Sequence, residues 1–188
     1  MNMQRTYSRL DLIQEELAKL ENKSFLDRAL HILLSTKHVY LTIQIPSQLI
    51  VRANVLCEDI TIIGELEKKF HISDLVCVLF NDFLNVVRKE ENFDSLYNRL
   101  QVRNQKKLEI HQKKYTFYEE TDGLADVKVR VERRDALRGE VVLSDLANLY
   151  PSHTFQLESL LELILIDFLI EYQRGTTRNV VKNILEKI

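Results

Sequence analysis

Glycine and proline are scarce in this chain, with four and two among 188 residues. Gly64, Gly123, Gly139 and Gly175 stand alone, which excludes glycine-rich phosphate loops and dinucleotide fingerprints, since both need several glycines close together. The same scarcity predicts long regular elements joined by few strained turns. Tryptophan is absent, and cysteine occurs only at Cys57 and Cys77, both in apolar surroundings. Two such thiols do not make the disulfide framework of a small exported domain, and a reduced, cytoplasmic setting is expected. With His71 they give Cys-x13-His-x5-Cys, which lacks a fourth ligand at a standard zinc spacing, so neither metal nor other cofactor is expected. No G-x-S-x-G occurs, and Ser152-His153 are chain neighbours, which does not set a base against a nucleophile. The expectation is a protein that is not an enzyme. The first residues also lack the apolar core of a signal peptide.

What the chain does have is 45% hydrophobic and 29% charged residues, an ordinary globular balance, and a length that can bury a real core without staples. Its most apolar stretch is 155–172, FQLESLLELILIDFLIEY. At 100° per residue, Leu157, Leu160, Leu161, Ile164 and Phe168 share one side of a helix, and Leu163, Leu165, Ile166, Leu169 and Ile170 fill most of the other. A helix apolar nearly all round must be surrounded. Lipid is not the surrounding, because Glu158, Glu162, Asp167 and Glu171 interrupt a run already too short to span a bilayer. This stretch is therefore read as a central core helix, and no membrane partner is expected. Glu158 with Glu162, and Asp167 with Glu171, each lie one turn apart, where acid–base use and simple ion pairing share the same spacing.

Taken in order, Ser8 and Ser24 open two amphipathic helices at about 9–21 and 25–35, the first striped by Leu10, Ile13, Leu17 and Leu20. Val39, Leu41, Ile43 and Ile45 alternate with Tyr40, Thr42 and Gln44 in a half-buried strand over 38–45. Residues 49–57 fit a strand and a helix, and their β-branched content favours a hairpin partner for 38–45. A further helix follows at 94–102. Between 107 and 143 the alternation of Val127, Val129 and Val131, the Asp122-Gly123 turn signal and the run Val141-Val142-Leu143 predict an antiparallel β-meander, apolar on one side and basic on the other. A short helix at 144–149, the central helix, a stop at Gly175 and a last helix at 177–187 complete the chain. The fold class is α+β: an N-terminal helical pair, a small antiparallel sheet, and a C-terminal helical layer around the central apolar helix. Residues 1–100 form a mostly helical part and 101–188 the meander plus C-terminal helices, as two units or one continuous domain.

One constellation carries a functional mechanism. In 62–89, Leu66, Phe70, Ile72, Cys77 and Phe80 have the apolar spacing of a helix-turn-helix, whose second helix would project into a major groove. An ordinary αα-hairpin gives the same spacing. Glu67 stands where a small residue is usual and His71 where glycine is favoured. Asp74 and Asp82 are opposite in sign to what phosphates demand. Asn81 and Asn85 are the candidate base readers, and Arg88 and Lys89 the candidate backbone contacts. The net charge is −2, but basic residues concentrate in 103–118, with five Lys/Arg against one Glu, and in 128–138, with five against two acids. Lys113, Lys114, Lys128, Arg130, Arg133 and Arg134 are accordingly candidate phosphate contacts, with two solvated strand faces as the plainer reading. The expected function is a dimeric, non-enzymatic cytoplasmic regulator that binds double-stranded DNA through the helix-turn-helix-like element. The alternative is a protein-interaction or assembly subunit that uses the apolar helices 9–21 and 155–172, by self-association or with another protein.

Overall fold

A computed structural model describes residues 5–21, 36–89, 93–102, 104, 123–175 and 179–188. In chain order the elements are α1 (Leu12–Glu21), β1 (His38–Pro46), α2 (Ser47–Ile63), α3 (Ile72–Lys89), α4 (93–102), β2 (Leu124–Glu132), α5 (Arg133–Leu149), α6 (Leu157–Gln173) and α7 (Val180–Leu185). The fold is α+β, with seven helices and one two-stranded antiparallel sheet among the described residues. The expected helix over 25–35, the first half of the meander and Lys113 and Lys114 lie outside those residues.

The helix α6 forms the centre. Leu157, Leu160, Leu161, Leu163, Leu165, Ile166 and Leu169 are all buried, and α2, α3, α5 and β1 pack around them. The chain itself completes this core, with no second copy needed to surround the helix. Ser159 Oγ accepts the Gln156 N–H at 2.9 Å to open α6, and Gly175 closes it at φ +68°, a conformation that only glycine adopts freely. No described helix is long and apolar enough to cross a membrane.

Along β1, Val39, Leu41, Ile43 and Ile45 face the core, while Tyr40, Thr42 and Gln44 face outward, as their alternation predicts. The partner strand differs from the expectation. Residues 49–57 belong to α2, where Leu49, Ala53, Leu56, Cys57 and Ile60 form the buried stripe and Val51 and Val55 are exposed. Their β-branched side chains signal packing preference, and the helical stripe decides the backbone. β1 pairs instead with β2, from His38 opposite Glu132 to Pro46 opposite Leu124. The expected meander also ends early: 133–149 is one helix, which takes in Val141-Val142-Leu143 and the short helix at 144–149. Its buried stripe is Ala136, Gly139, Glu140, Leu143 and Leu146, two members of which carry no hydrophobic side chain.

Gly139 sits where α5 crosses α3 and α6. A Cβ there would lie 2.7 Å from Leu157 Cδ1 and 2.8 Å from Phe80 Cζ. Gly139→Ala is therefore expected to destabilise the protein by about 1–3 kcal/mol despite alanine's better helix propensity, seen as a lower urea midpoint with an unchanged slope.

Among the described residues, side chains rather than further strands meet both edges of the two-stranded sheet. On the β2 side, Ser73 Oγ accepts the Arg130 N–H at 2.9 Å, and Cys77 Sγ donates to the Arg130 carbonyl at 3.1 Å. On the β1 side, Glu162 of α6 accepts the Gln44 N–H at 2.8 Å. Glu158 likewise accepts the Arg9 N–H at 3.0 Å. The first pair of central-helix carboxylates thus satisfies main-chain donors inside the fold. The second pair is not alike: Asp167 is buried and Glu171 exposed, on the side of α6 where both line a cleft with Arg99.

His153 is buried between α5 and α6. Its Nε2 lies 3.0 Å from the Leu143 carbonyl oxygen, while Nδ1 accepts the Phe155 N–H at 3.2 Å and faces Arg5 Nη2 at 3.2 Å. That network places the proton of a neutral ring on Nε2. Burial lowers its pKa below the usual histidine value; the bond to the Leu143 carbonyl opposes the shift, and the Arg5 charge adds to it. Because the unfolded chain then takes up this proton more readily, the contribution to stability is complete above about pH 6.5 and declines as pH falls below it. Urea unfolding at successive pH values should show this decline, and His153→Gln should flatten it.

Candidate nucleic-acid interface

The residues of the expected helix-turn-helix do not form one. α2 ends at Ile63, residues 64–70 are irregular, and Ile72 already begins α3. Leu66 and Phe70 have the apolar spacing of a first helix because they anchor this loop to the core; Phe70 is buried and Leu66 partly so. Thr61 fixes the loop from its N-terminal side. Its carbonyl accepts the Leu66 N–H at 3.1 Å, and its hydroxyl accepts the Phe70 N–H at 3.0 Å while donating to the Cys57 carbonyl at 2.8 Å. The loop closes on α3, where Asp74 accepts the His71 N–H at 2.9 Å.

This anchoring holds Lys68, Lys69 and His71 beside the outward face of the sheet. Together with Tyr40, Asn54, Ser73, Asp74, Lys128 and Arg130 they line a groove of about 950 Å³, whose apolar parts are Phe70, Ile72 and Val127. Four permanent cations, Lys68, Lys69, Lys128 and Arg130, stand here against the single carboxylate of Asp74. Asp74 is itself occupied in closing the N-terminus of α3, so the positive character of the groove comes from side chains. The four cations are exposed and form no ion pair among the described residues. The acids at the two ends of the sheet's outer face have other partners: Glu132 lies 3.7 Å from Lys37, and Asp126 accepts from Gln44 Nε2 at 3.2 Å.

Tyr40 stands in the middle of this surface, 55% exposed. Arg130 is its partner in register, and Lys128 Nζ lies 4.6 Å from its ring centroid. A cation over an aromatic face is worth about 0.5–1 kcal/mol at an exposed site and holds the ring and ammonium side by side.

The two cysteines flank the groove from inside. Burial pushes the Cys57 thiol up to about 12, with Asp74 adding to the rise and Lys69 opposing it. Burial likewise pushes Cys77 to about 11, again with Asp74 adding and Arg130 opposing. Both are neutral near pH 7, when nucleophiles and metal ligands must be thiolates. No cluster of His, Cys, Asp or Glu among the described residues could hold a metal ion.

The sequence-derived candidates fall into three groups. Lys128 and Arg130 meet in the groove. Asn81, Asn85 and Arg88 share the exposed side of α3, with Lys89 at its end, but fifteen residues of helix set Arg88 about 22 Å along the axis from Ser73. Arg133 is half-buried and paired with Glu15 of α1, and the exposed Arg134 lies 4.0 Å from Asp135; neither lines the groove. Sequence reasoning missed Lys68, Lys69, His71 and Tyr40 as site residues. Strand parity places Tyr40 outward, but only the pairing of β1 with β2 sets it on the same face as Lys128 and Arg130. No protein-family model matches the chain, and no curated protein or solved structure does so either.

Proposed function

We propose that the protein is a non-enzymatic nucleic-acid-binding regulator, and that it engages DNA through the groove between the sheet's outer face, residues 64–71 and the start of α3. The observation that carries this reading is the convergence of Lys68, Lys69, Lys128 and Arg130 on one concave surface in a chain whose net charge is only −2. Clustered, unpaired cations are what a phosphate backbone selects, because each phosphate neutralised releases a condensed counterion. The exposed Asn81, Asn85 and Arg88 lie further along α3, outside the lining of this groove. Fluorescence anisotropy with labelled mixed-sequence DNA at low salt tests the proposal. Saturable binding that weakens as salt rises is expected; an anisotropy that stays flat at every protein concentration contradicts it.

A second reading, assembly through α1, is favoured by one specific observation. Leu17 and Leu20, the last two members of the α1 stripe, are 44% and 73% exposed, while α6 is enclosed and offers no such face. If α1 joins two protomers, light scattering gives the mass of a dimer, and Leu17→Asp with Leu20→Asp restores the monomer mass. A wild-type protein of monomer mass contradicts self-assembly.

A further inference from the structure

We infer that the strand held in this groove is single, with a base stacked on the exposed face of Tyr40 and the flanking phosphates on Lys68, Lys69, Lys128 and Arg130. The inference rests on the nucleic-acid reading above and names the substrate class within it. Reading a duplex needs an element that enters a DNA groove. The element the sequence offered for that task is not built: its first helix is a loop, and the start of α3 is fastened to the β2 edge through Ser73 and Cys77. The surface is instead a concavity whose cations come from two elements, the loop and the strand. A convex duplex meets such a surface poorly, while a flexible strand can follow its floor.

Tyr40 supplies the second requirement. Sequence-tolerant binding of single strands combines a basic track with an aromatic ring on which a base can stack. Other described rings pair with one another: Tyr97 stacks on Tyr150 at 3.8 Å, Phe80 on Phe83 and Phe168 on Tyr172. Tyr40 pairs with no ring among the described residues. It lies instead between two cations on the outward face of a strand, where nothing in the core requires an aromatic side chain. Asn54, exposed on α2 at the groove's rim, adds a hydrogen-bonding group within the same lining.

The test is an anisotropy titration of labelled oligothymidylate, oligouridylate and a DNA duplex of the same length against the wild type, Tyr40→Phe and Tyr40→Ala. The wild type is expected to bind at least one single strand about tenfold or more tighter than the duplex. Tyr40→Ala is expected to lose about tenfold on that strand, while Tyr40→Phe keeps the affinity. Because Tyr40 is exposed, both variants should unfold at the wild-type urea midpoint, which separates lost stacking from lost folding. A preference between the two oligonucleotides distinguishes DNA from RNA as the source of the strand; either result meets this inference, while binding of oligouridylate alone overturns the DNA reading above. Duplex bound as tightly as both single strands, or Tyr40→Ala binding them like the wild type, overturns the inference while leaving the wider nucleic-acid reading in place. Binding of none of the three probes overturns both.

Discussion

Replacing Glu140 with alanine is expected to cost about 3–5 kcal/mol, the largest effect of any single charged-to-alanine change among the described residues. Glu140 is fully buried at 0% exposure, yet its carboxylate is saturated with donors. Leu12 N–H reaches Oε1 at 3.2 Å, Ile13 N–H reaches Oε2 at 2.9 Å, and the Ser8 hydroxyl donates to Oε1. The two N–H groups are orphan donors at the start of α1, so a side chain of α5 caps a helix more than a hundred residues away in the chain. The negative charge also meets the positive end of the α1 dipole. Truncation leaves three donors without their acceptor in the interior, and each such loss costs about 1–3 kcal/mol. Glu140→Gln keeps one acceptor oxygen and should cost less than the alanine change. Asp145→Ala, at an exposed position of the same helix, should stay within about 0.5 kcal/mol of wild type. Urea denaturation orders the three variants; a Glu140→Ala midpoint equal to that of Asp145→Ala would show that the cap contributes nothing.

Reversing the four groove cations, Lys68, Lys69, Lys128 and Arg130, to glutamate is expected to reduce nucleic-acid affinity by at least about a hundredfold at low salt. All four are exposed, so the fold should tolerate the change, and circular dichroism and the urea midpoint check that it does. The informative control is Arg88→Glu with Lys89→Glu. Those residues carry the same charge at the far end of α3, outside the groove, and the account expects their reversal to cost only a few-fold. Equal losses from both sets would mean that net charge, not the groove, governs binding.

The architecture was legible where a pattern is local and strong. An apolar stretch with no wet side, 155–172, announced its own burial, and strand parity placed Tyr40 outward before any partner strand was known. It was illegible where the deciding contact is distant in the chain. Nothing near 38–46 points to 124–132 as its partner, so a neighbouring segment with the right side chains took that role in the sequence reading. Nothing in the sequence marks Glu140 as buried, because its donors come from α1, and without it the stripe of α5 loses its middle. The groove shows both limits. Lys128 and Arg130 were visible as a basic strand face, but Lys68 and Lys69 join them only because Thr61 and Phe70 fold the intervening loop back over the sheet. The helix-turn-helix spacing was real, yet Leu66 and Phe70 arise from anchoring that loop rather than from a helix.

The most direct test of the account is the salt dependence of the wild-type affinity. Four groove cations, each neutralising one phosphate, predict a slope of about −3 for log K against log salt over about 50 to 200 mM. The quadruple reversal should leave no measurable binding over that range. A slope near zero, or a slope that the groove reversal leaves untouched, would contradict the assignment of this surface to nucleic acid.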